Sequence, residues 1–254
     1  MSDWNPAAYS AFRGLRLRPA LDLMAQIGDL PPGDVVDLGC GDGAAAPALA
    51  LRFPGRRLIG VDGSKAMLAK ASGYAAKVEA DIADWRPEAP PALIFSNAAL
   101  QWLPDHPALL PRLVGLLAPG GTLAVQMPIN HMAPSHRFLR EIAQAMFPDR
   151  FDFIGYRPPV LAAADYWAML APLGSLSIWE TEYLQPLNAV AEGHPVRTFT
   201  ASTAMRPFVE LLAEEEAARF IARYDEALAS AYPIQPDGGA LFPFRRIFLI
   251  LQRP

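Results

Sequence analysis

A single cysteine, Cys40, stands in 254 residues, so no disulfide can close within the chain. Its place inside a glycine-rich turn reads as a small packed side chain rather than a redox group. Lysine is nearly absent: Lys65, Lys70 and Lys77 are all there are, and arginine carries the rest of the positive charge. With 22 Lys and Arg against 26 Asp and Glu the formal net charge is −4, and there is no basic stripe or arginine–glycine tail. That balance speaks against nucleic acid as a partner and for a small substrate. No apolar run reaches membrane-spanning length, since Leu113 to Met127 is broken by Pro119-Gly120-Gly121. The opening residues lack the basic start and apolar core of a secretion signal, which makes a cytoplasmic protein the expectation. No repeat, low-complexity stretch or linker interrupts the chain, and no metal is expected.

What the sequence does hold is the run Val35-Val36-Asp37-Leu38-Gly39-Cys40-Gly41-Asp42-Gly43. It reads as a buried strand ending in a glycine-paved turn that opens a helix. Such turns hold nucleotides, because glycine lets the backbone take left-handed angles and approach the ligand closely. Gly39, Gly41 and Ala44 fit the G-x-G-x-x-[GA] dinucleotide pattern, and Asp62 follows at the spacing of a ribose-binding acid. A nicotinamide cofactor is therefore one reading. Asp37 opposes it, because a carboxylate near the path of a pyrophosphate is costly. S-adenosylmethionine is the other reading, since it offers cationic sulfonium and ammonium groups and no pyrophosphate.

Further strands follow in order, at Leu58–Asp62, Val78–Ile82, Leu93–Asn97 and Thr122–Met127, the first three ending in an acid, in an acid with an apolar neighbour and in a polar corner. Helical spacing marks Leu15–Ile27, Asp105–Leu117, Ser135–Ala145, Ala162–Leu173 and Glu214–Tyr232. Leu176–Tyr183 and Ile247–Leu251 read as late strands. Strands alternating with helices predict a doubly wound α/β sheet, with ligands at the carboxyl ends of the strands.

The DLGCGDG turn, Asp62, the Asp81-Ile82 pair and the Ser96-Asn97 corner together resemble the class I S-adenosylmethionine-dependent methyltransferases. Ser2-Asp3-Trp4-Asn5-Pro6, Leu100-Gln101-Trp102-Leu103-Pro104-Asp105-His106 and Ala124-Val125-Gln126-Met127-Pro128 are similar to the branch that methylates the polycarboxylate trans-aconitate. The resemblance spans nearly the whole chain and is weakest from Phe147 to Arg157. It implies a Rossmann-like doubly wound seven-stranded sheet with a helical cap, in a single methyltransferase domain. Residues 1–30 would form an N-terminal helical lid, 31–130 the cofactor-binding core, about 185–235 the substrate cap and 240–254 the final strand.

The same resemblance implies roles for individual residues. Gly39 and Gly41 pass under the methionine part of the cofactor, with Asp37 near its ammonium. Asp62, Gly63 and Ser64 meet the ribose, and Asp81 and Ile82 the adenine. Asn97, Gln101 and Trp102 position the methyl group. Arg18 closes over the cofactor, and Trp4 and Tyr9 close toward the substrate. Arg206 and Arg246 are the preferred carboxylate clamps, with His131, Tyr156 and Arg157 in reserve, because arginine grips carboxylates bidentately. No general base is expected, since a carboxylic acid is already ionised at neutral pH. For Asp62 a helix-capping acid, and for each arginine a surface salt bridge, is the structural alternative. Another small acid, an oxygen or nitrogen nucleophile, or binding without turnover are the functional ones.

Overall fold

The computed structural model describes residues 13–201 and 203–254. Helix α1 (Arg13–Ala25) buries Ala20, Leu23 and Met24 and leads into β1 (Val35–Leu38), whose four residues are all buried. Helix α2 (Ala46–Arg52) follows the glycine turn and stops at Phe53-Pro54-Gly55, where Gly55 takes φ +76°. Strand β2 (Leu58–Asp62) then runs to Ser64, whose Oγ accepts from Met67 N at 3.3 Å and caps α3 (Lys65–Lys70). Strand β3 (Ala76–Glu79) is the exposed edge, while β4 (Leu93–Asn97) is buried almost throughout. Asp105 caps α4 (His106–Leu116) from the left-handed region, φ +55°, and accepts from Ala108 N. Pro119-Gly120-Gly121 turns the chain into β5 (Thr122–Pro128), against which α1 packs.

After β5 come α5 (Pro134–Met146), α6 (Ala163–Leu170), β6 (Ser175–Leu187), α7 (Pro195–Ala201), α8 (Arg206–Val209), α9 (Glu214–Ala231) and β7 (Ala240–Gln252). The sheet order is β3-β2-β1-β4-β5-β7-β6; β1 to β5 pair in parallel and β7 runs antiparallel to β5. The seven strands match the expected sheet. Buried on both faces, the central strands read as nearly unbroken apolar runs. Phe95, Leu38, Val61 and Leu123 are all inaccessible, and each such side chain stabilises by roughly 1.5–3 kcal/mol.

The described chain forms two compact units. The first comprises the described residues through Pro128, Pro159–Thr181 and Arg246–Pro254; the second comprises Ile129–Pro158 and Glu182–Arg245. The first holds the parallel strands. In the second, α9 lies along α5, with Phe220, Tyr224 and Leu228 buried. Its rings stack in series, Phe151 on Phe208, Phe208 on Phe220 and Phe220 on Tyr224, with centroids 5.6, 6.0 and 6.5 Å apart.

Several element boundaries differ from the sequence reading. Strand β3 ends at Glu79, the partner of Asp62, because the Asp81 carboxylate then accepts from Ala83 N at 2.8 Å and makes a turn. Helix α6 gives way at Leu170 to a tighter turn, Ala171–Leu173, around Pro172. The last strand runs from Ala240 and is not confined to the apolar run Ile247–Leu251. Pro243 and the Arg245-Arg246 pair break the apolar pattern, yet Arg245 N still donates to Asn130 Oδ1 and its carbonyl accepts from Ile129 N.

Candidate functional site

The strand order reverses between β1 and β4, and at that point of an open α/β sheet a crevice opens beyond the carboxyl ends. Gly39 lies there with φ +78°, and a Cβ on it would fall 2.2 Å from the Ala99 Cβ. Both the angle and the contact demand glycine. Gly39 N and Cys40 N donate to Val61 O at 2.8 and 3.0 Å, and Gly41 N donates to Asp62 Oδ2 at 2.8 Å. On the other side Ser96 Oγ donates to Leu38 O at 2.7 Å. The turn is thus tied to the ends of both neighbouring strands.

Asp37 is buried at the end of β1, 2 % exposed. Burial pushes its carboxyl up to about 7; the Tyr74 hydroxyl, donating at 2.6 Å, pulls it down, and nearby Asp62 adds a smaller upward push. Tyr74 was not among the sequence candidates. Its ring lies where a Cβ on Gly60 would come within 2.9 Å, so glycine on β2 makes room for it. Burial likewise pushes up the Cys40 thiol, which leaves it a packed, unreactive group.

Asp62 spends each carboxylate oxygen on one backbone donor, Gly41 N and Ser64 N, both at 2.8 Å. A carboxylate oxygen accepts more than one hydrogen bond, so each keeps a free lone pair. Asp62 therefore fills the turn role that was its structural alternative without losing its capacity for hydroxyls. Asp81 is exposed, with one oxygen in the turn to Ala83, whereas the Ile82 methyl would sit 3.3 Å from a Cβ on Gly39. Arg112 holds this loop by donating to Ile82 O and Trp85 O. Gly63 meets nothing closer than Ala80 O at 3.7 Å from a built Cβ. Arg18 is exposed on α1 and pairs with Asp22 at 4.0 Å. Trp4 and Tyr9 lie outside the described residues.

Beyond β4 the chain turns through Ala98, φ +54°, into a short turn at Leu100–Trp102. Asn97 is half-buried and Gln101 buried, while Trp102 is 60 % exposed. Gln101 Nε2 donates to Ala98 O; the amide oxygens of Asn97 and Gln101 are buried with no hydrogen-bond partner. His106 fixes the turn, because Leu100 O can only accept, so Nε2 is the protonated nitrogen and Nδ1 accepts from Tyr166 Oη at 2.6 Å. Asn97 and Gln126 are register partners on β4 and β5. Gln126 is fully buried, its oxygen accepting from Arg246 Nη1 at 3.1 Å, and Arg246 on β7 is 3 % exposed. The adjacent strand ends of this unit thus carry Gly39, Asn97, Gln126 and Arg246 in succession.

The remaining candidates belong to the second unit. Arg206 is half-buried and pairs with Glu210, one helical turn on, at 2.7 Å. The Arg140 guanidinium lies 4.0 Å over the Tyr156 ring and donates to His131 O. Tyr156 Oη stands 3.4 Å from His131 Nδ1, and Arg157 is exposed on the same loop. Burial, then Arg140, pulls His131 down to about 4; burial, then His131 and Arg140, pulls His136 down to about 3. A cavity of about 310 Å³ is lined by Arg137, Arg140, Gln144 and Tyr156 among others. Among the described residues no cluster could hold a metal ion, and no helix is long and apolar enough to cross a membrane.

A family model described as a methyltransferase domain matches residues 9–184. The chain is 43 % identical over 261 residues to the trans-aconitate 2-methyltransferase of Paracidovorax citrulli, covering 100 % of this chain and 99 % of that one. The protein of the same name from Methylobacterium nodulans is 44 % identical over 259 residues, and that of an Escherichia coli strain 40 % over 258, with the same coverage. Among solved structures, the YcgJ protein of Bacillus subtilis has a TM-score of 0.57 at 15 % identity, covering 93 % of this chain and 98 % of that one. Haemonchus contortus phosphoethanolamine N-methyltransferase 2, bound to S-adenosylhomocysteine, has a TM-score of 0.54 at 16 % identity, covering 93 % of this chain and 53 % of that one. These structural likenesses show a shared fold.

Proposed function

Because the chain belongs to the methyltransferase family, we propose that it transfers a methyl group from S-adenosylmethionine to a carboxylate of trans-aconitate, giving a monomethyl ester and S-adenosylhomocysteine. One observation carries the acceptor: 40–44 % identity runs the full length of this chain and of relatives bearing that name, so it is not confined to the glycine turn.

The residues at the strand ends fit the cofactor. Asp37 is a buried carboxylate that accepts a hydrogen bond from a neutral phenol, and an ammonium group would satisfy it better than any neutral partner. Asp62 keeps one lone pair on each oxygen, as two ribose hydroxyls require. Ile82, beside Gly39, offers an apolar contact for a ring face. S-adenosylmethionine, when bound, supplies an electrophilic methyl group on a sulfonium sulfur.

The chain's own work is then to bind, aim and exclude water. A carboxylate needs no base at neutral pH, so rate comes from holding its oxygen in line with the methyl group. Of the two preferred clamps, Arg246 is the better supported, since it is buried in the sheet beside Gln126 while Arg206 is engaged by Glu210. Incubation with S-adenosylmethionine and trans-aconitate, followed by mass spectrometry of the acid, tests the reading. A mass gain of one methyl ester, with S-adenosylhomocysteine in equal amount, is expected. Methylation of other acids in preference to trans-aconitate would overturn the acceptor, and an inert protein would overturn the activity.

A further inference from the structure

Gln126 is an uncharged side chain, fully buried between apolar neighbours on β5, and half of its amide is unanswered. Its orientation is fixed by chemistry. A guanidinium has no acceptor, so the amide atom facing Arg246 Nη1 must be Oε1, and the NH2 group points the other way. That NH2 is buried without a hydrogen-bond partner. A buried donor left in this state forfeits its solvation without a hydrogen bond in return, so it is retained where something arrives to accept from it.

The position says what arrives. Asn97, the register partner of Gln126, is followed at Ala99 by the contact with the Gly39 turn. Between β1 and β5 lie two strand spacings, roughly 9–10 Å. Gln126 therefore lies beyond Asn97 from the nucleotide turn, on the side of the sheet order away from Asp62. Resting on the methyltransferase reading above, we propose that Gln126 Nε2 donates to one oxygen of the carboxylate that receives the methyl group, so that Gln126 selects the acceptor. A neutral donor suits this carboxylate better than an arginine does, because it orients one oxygen and leaves the charge on the other. That second oxygen provides the electron pair for the new bond to the methyl carbon. The methyl–sulfur bond breaks with its electron pair left on sulfur, and no proton moves. The hydrogen bond from Gln126 survives the reaction as one to the ester carbonyl.

Two near-isosteric variants test it. Gln126→Met removes the donor, and Gln126→Glu turns it into a carboxylate that Arg246 can still hold but that repels the acceptor. Steady-state methylation of trans-aconitate should show KM for the acid raised roughly 10-fold or more in Gln126→Glu, and kcat/KM lowered roughly 10- to 100-fold in Gln126→Met. The dissociation constant for S-adenosylhomocysteine should stay within about twofold of the unmodified protein in both, which also reports that they fold. Unchanged kcat and KM in variants that bind S-adenosylhomocysteine normally would overturn the proposal, as would a bridging role for a buried water that the acid never displaces. Should neither variant fold, the side-chain amide NMR signal of Gln126 in the S-adenosylhomocysteine complex decides: it must move when trans-aconitate is added. A protein that makes no ester of trans-aconitate before any substitution defeats the acceptor reading instead, and the two failures are therefore distinct.

Discussion

Burial against a single phenol leaves the Asp37 carboxyl titrating near neutrality, at about 7. A ligand ammonium beside it favours the ionised form, so binding must expel the proton whenever pH lies below that value. Affinity for S-adenosylhomocysteine should therefore weaken by up to about tenfold for each pH unit below 7 and level off above it. Calorimetry at pH 6 and pH 8, in buffers of different ionisation enthalpy, should detect proton release at the lower pH. Equal affinities at the two pH values would detach Asp37 from the ammonium, and Asp37→Asn should abolish whatever difference exists. Asp37, Gly39 and Gly41 were legible in the sequence because charge and glycine recur at fixed offsets from a strand end. Tyr74 was not, for its hydroxyl meets a carboxylate 37 positions away and only the fold brings them together. Gln126 was visible as a strand residue, but alternation tells which face a side chain takes, not which half of its amide is engaged. The Glu210 partner of Arg206, one helical turn on, could have been read from spacing alone.

Among the elements, α9 owes its place to one buried stripe and to polar ties from Glu216, Tyr224 and Asp225. Tyr224 Oη donates to Ser135 O at 2.6 Å and meets Thr200 Oγ1 at 3.2 Å, fastening α9 to α5 and α7. Tyr224→Phe strips a buried carbonyl of its donor and should cost about 1–2 kcal/mol. Phe220→Ala, which opens a void in the ring stack, should cost about 3–5 kcal/mol. Urea unfolding measures both, and a Tyr224→Phe protein as stable as the parent would show the hydroxyl to be dispensable. Helices α1, α4, α5 and α9 were placed within two residues by sequence, whereas α6 stops three residues early at the turn around Pro172. Strand β7 was cut short because Pro243 and two arginines look like an end to an apolar run, although β7 pairs with β5 only from Arg246 onward and a proline upstream interrupts no bond of that pair.

For the whole molecule, the two units respond to pH with opposite sign. Asp37 in the first has a folded pKa above its unfolded value near 4, so the stability it lends is full below pH 4 and is lost as pH rises through about 7. His131 and His136 in the second are held below 6.5, to about 4 and about 3, so their contribution is full above pH 6.5 and is lost as pH falls through those values. Hydrogen exchange corrected for intrinsic rate should find β1 and its neighbours better protected at pH 5 than at pH 8, and α5 better protected at pH 8 than at pH 5. Parallel changes in both units would refute these assignments. The doubly wound sheet was legible from the order of strands and helices, but the division into units was not, because the chain passes between them at Pro128, Pro158, Thr181 and Arg245 without any break in composition. The sheet order also dictates a sequence of events on the ribosome. Strand β6 emerges before β7 yet joins the sheet only through it, and β5 waits for the same partner. Until β7 is made, the edges of β5 and β6 that it will pair with stand open, each a template for a foreign strand, and one late segment closes both.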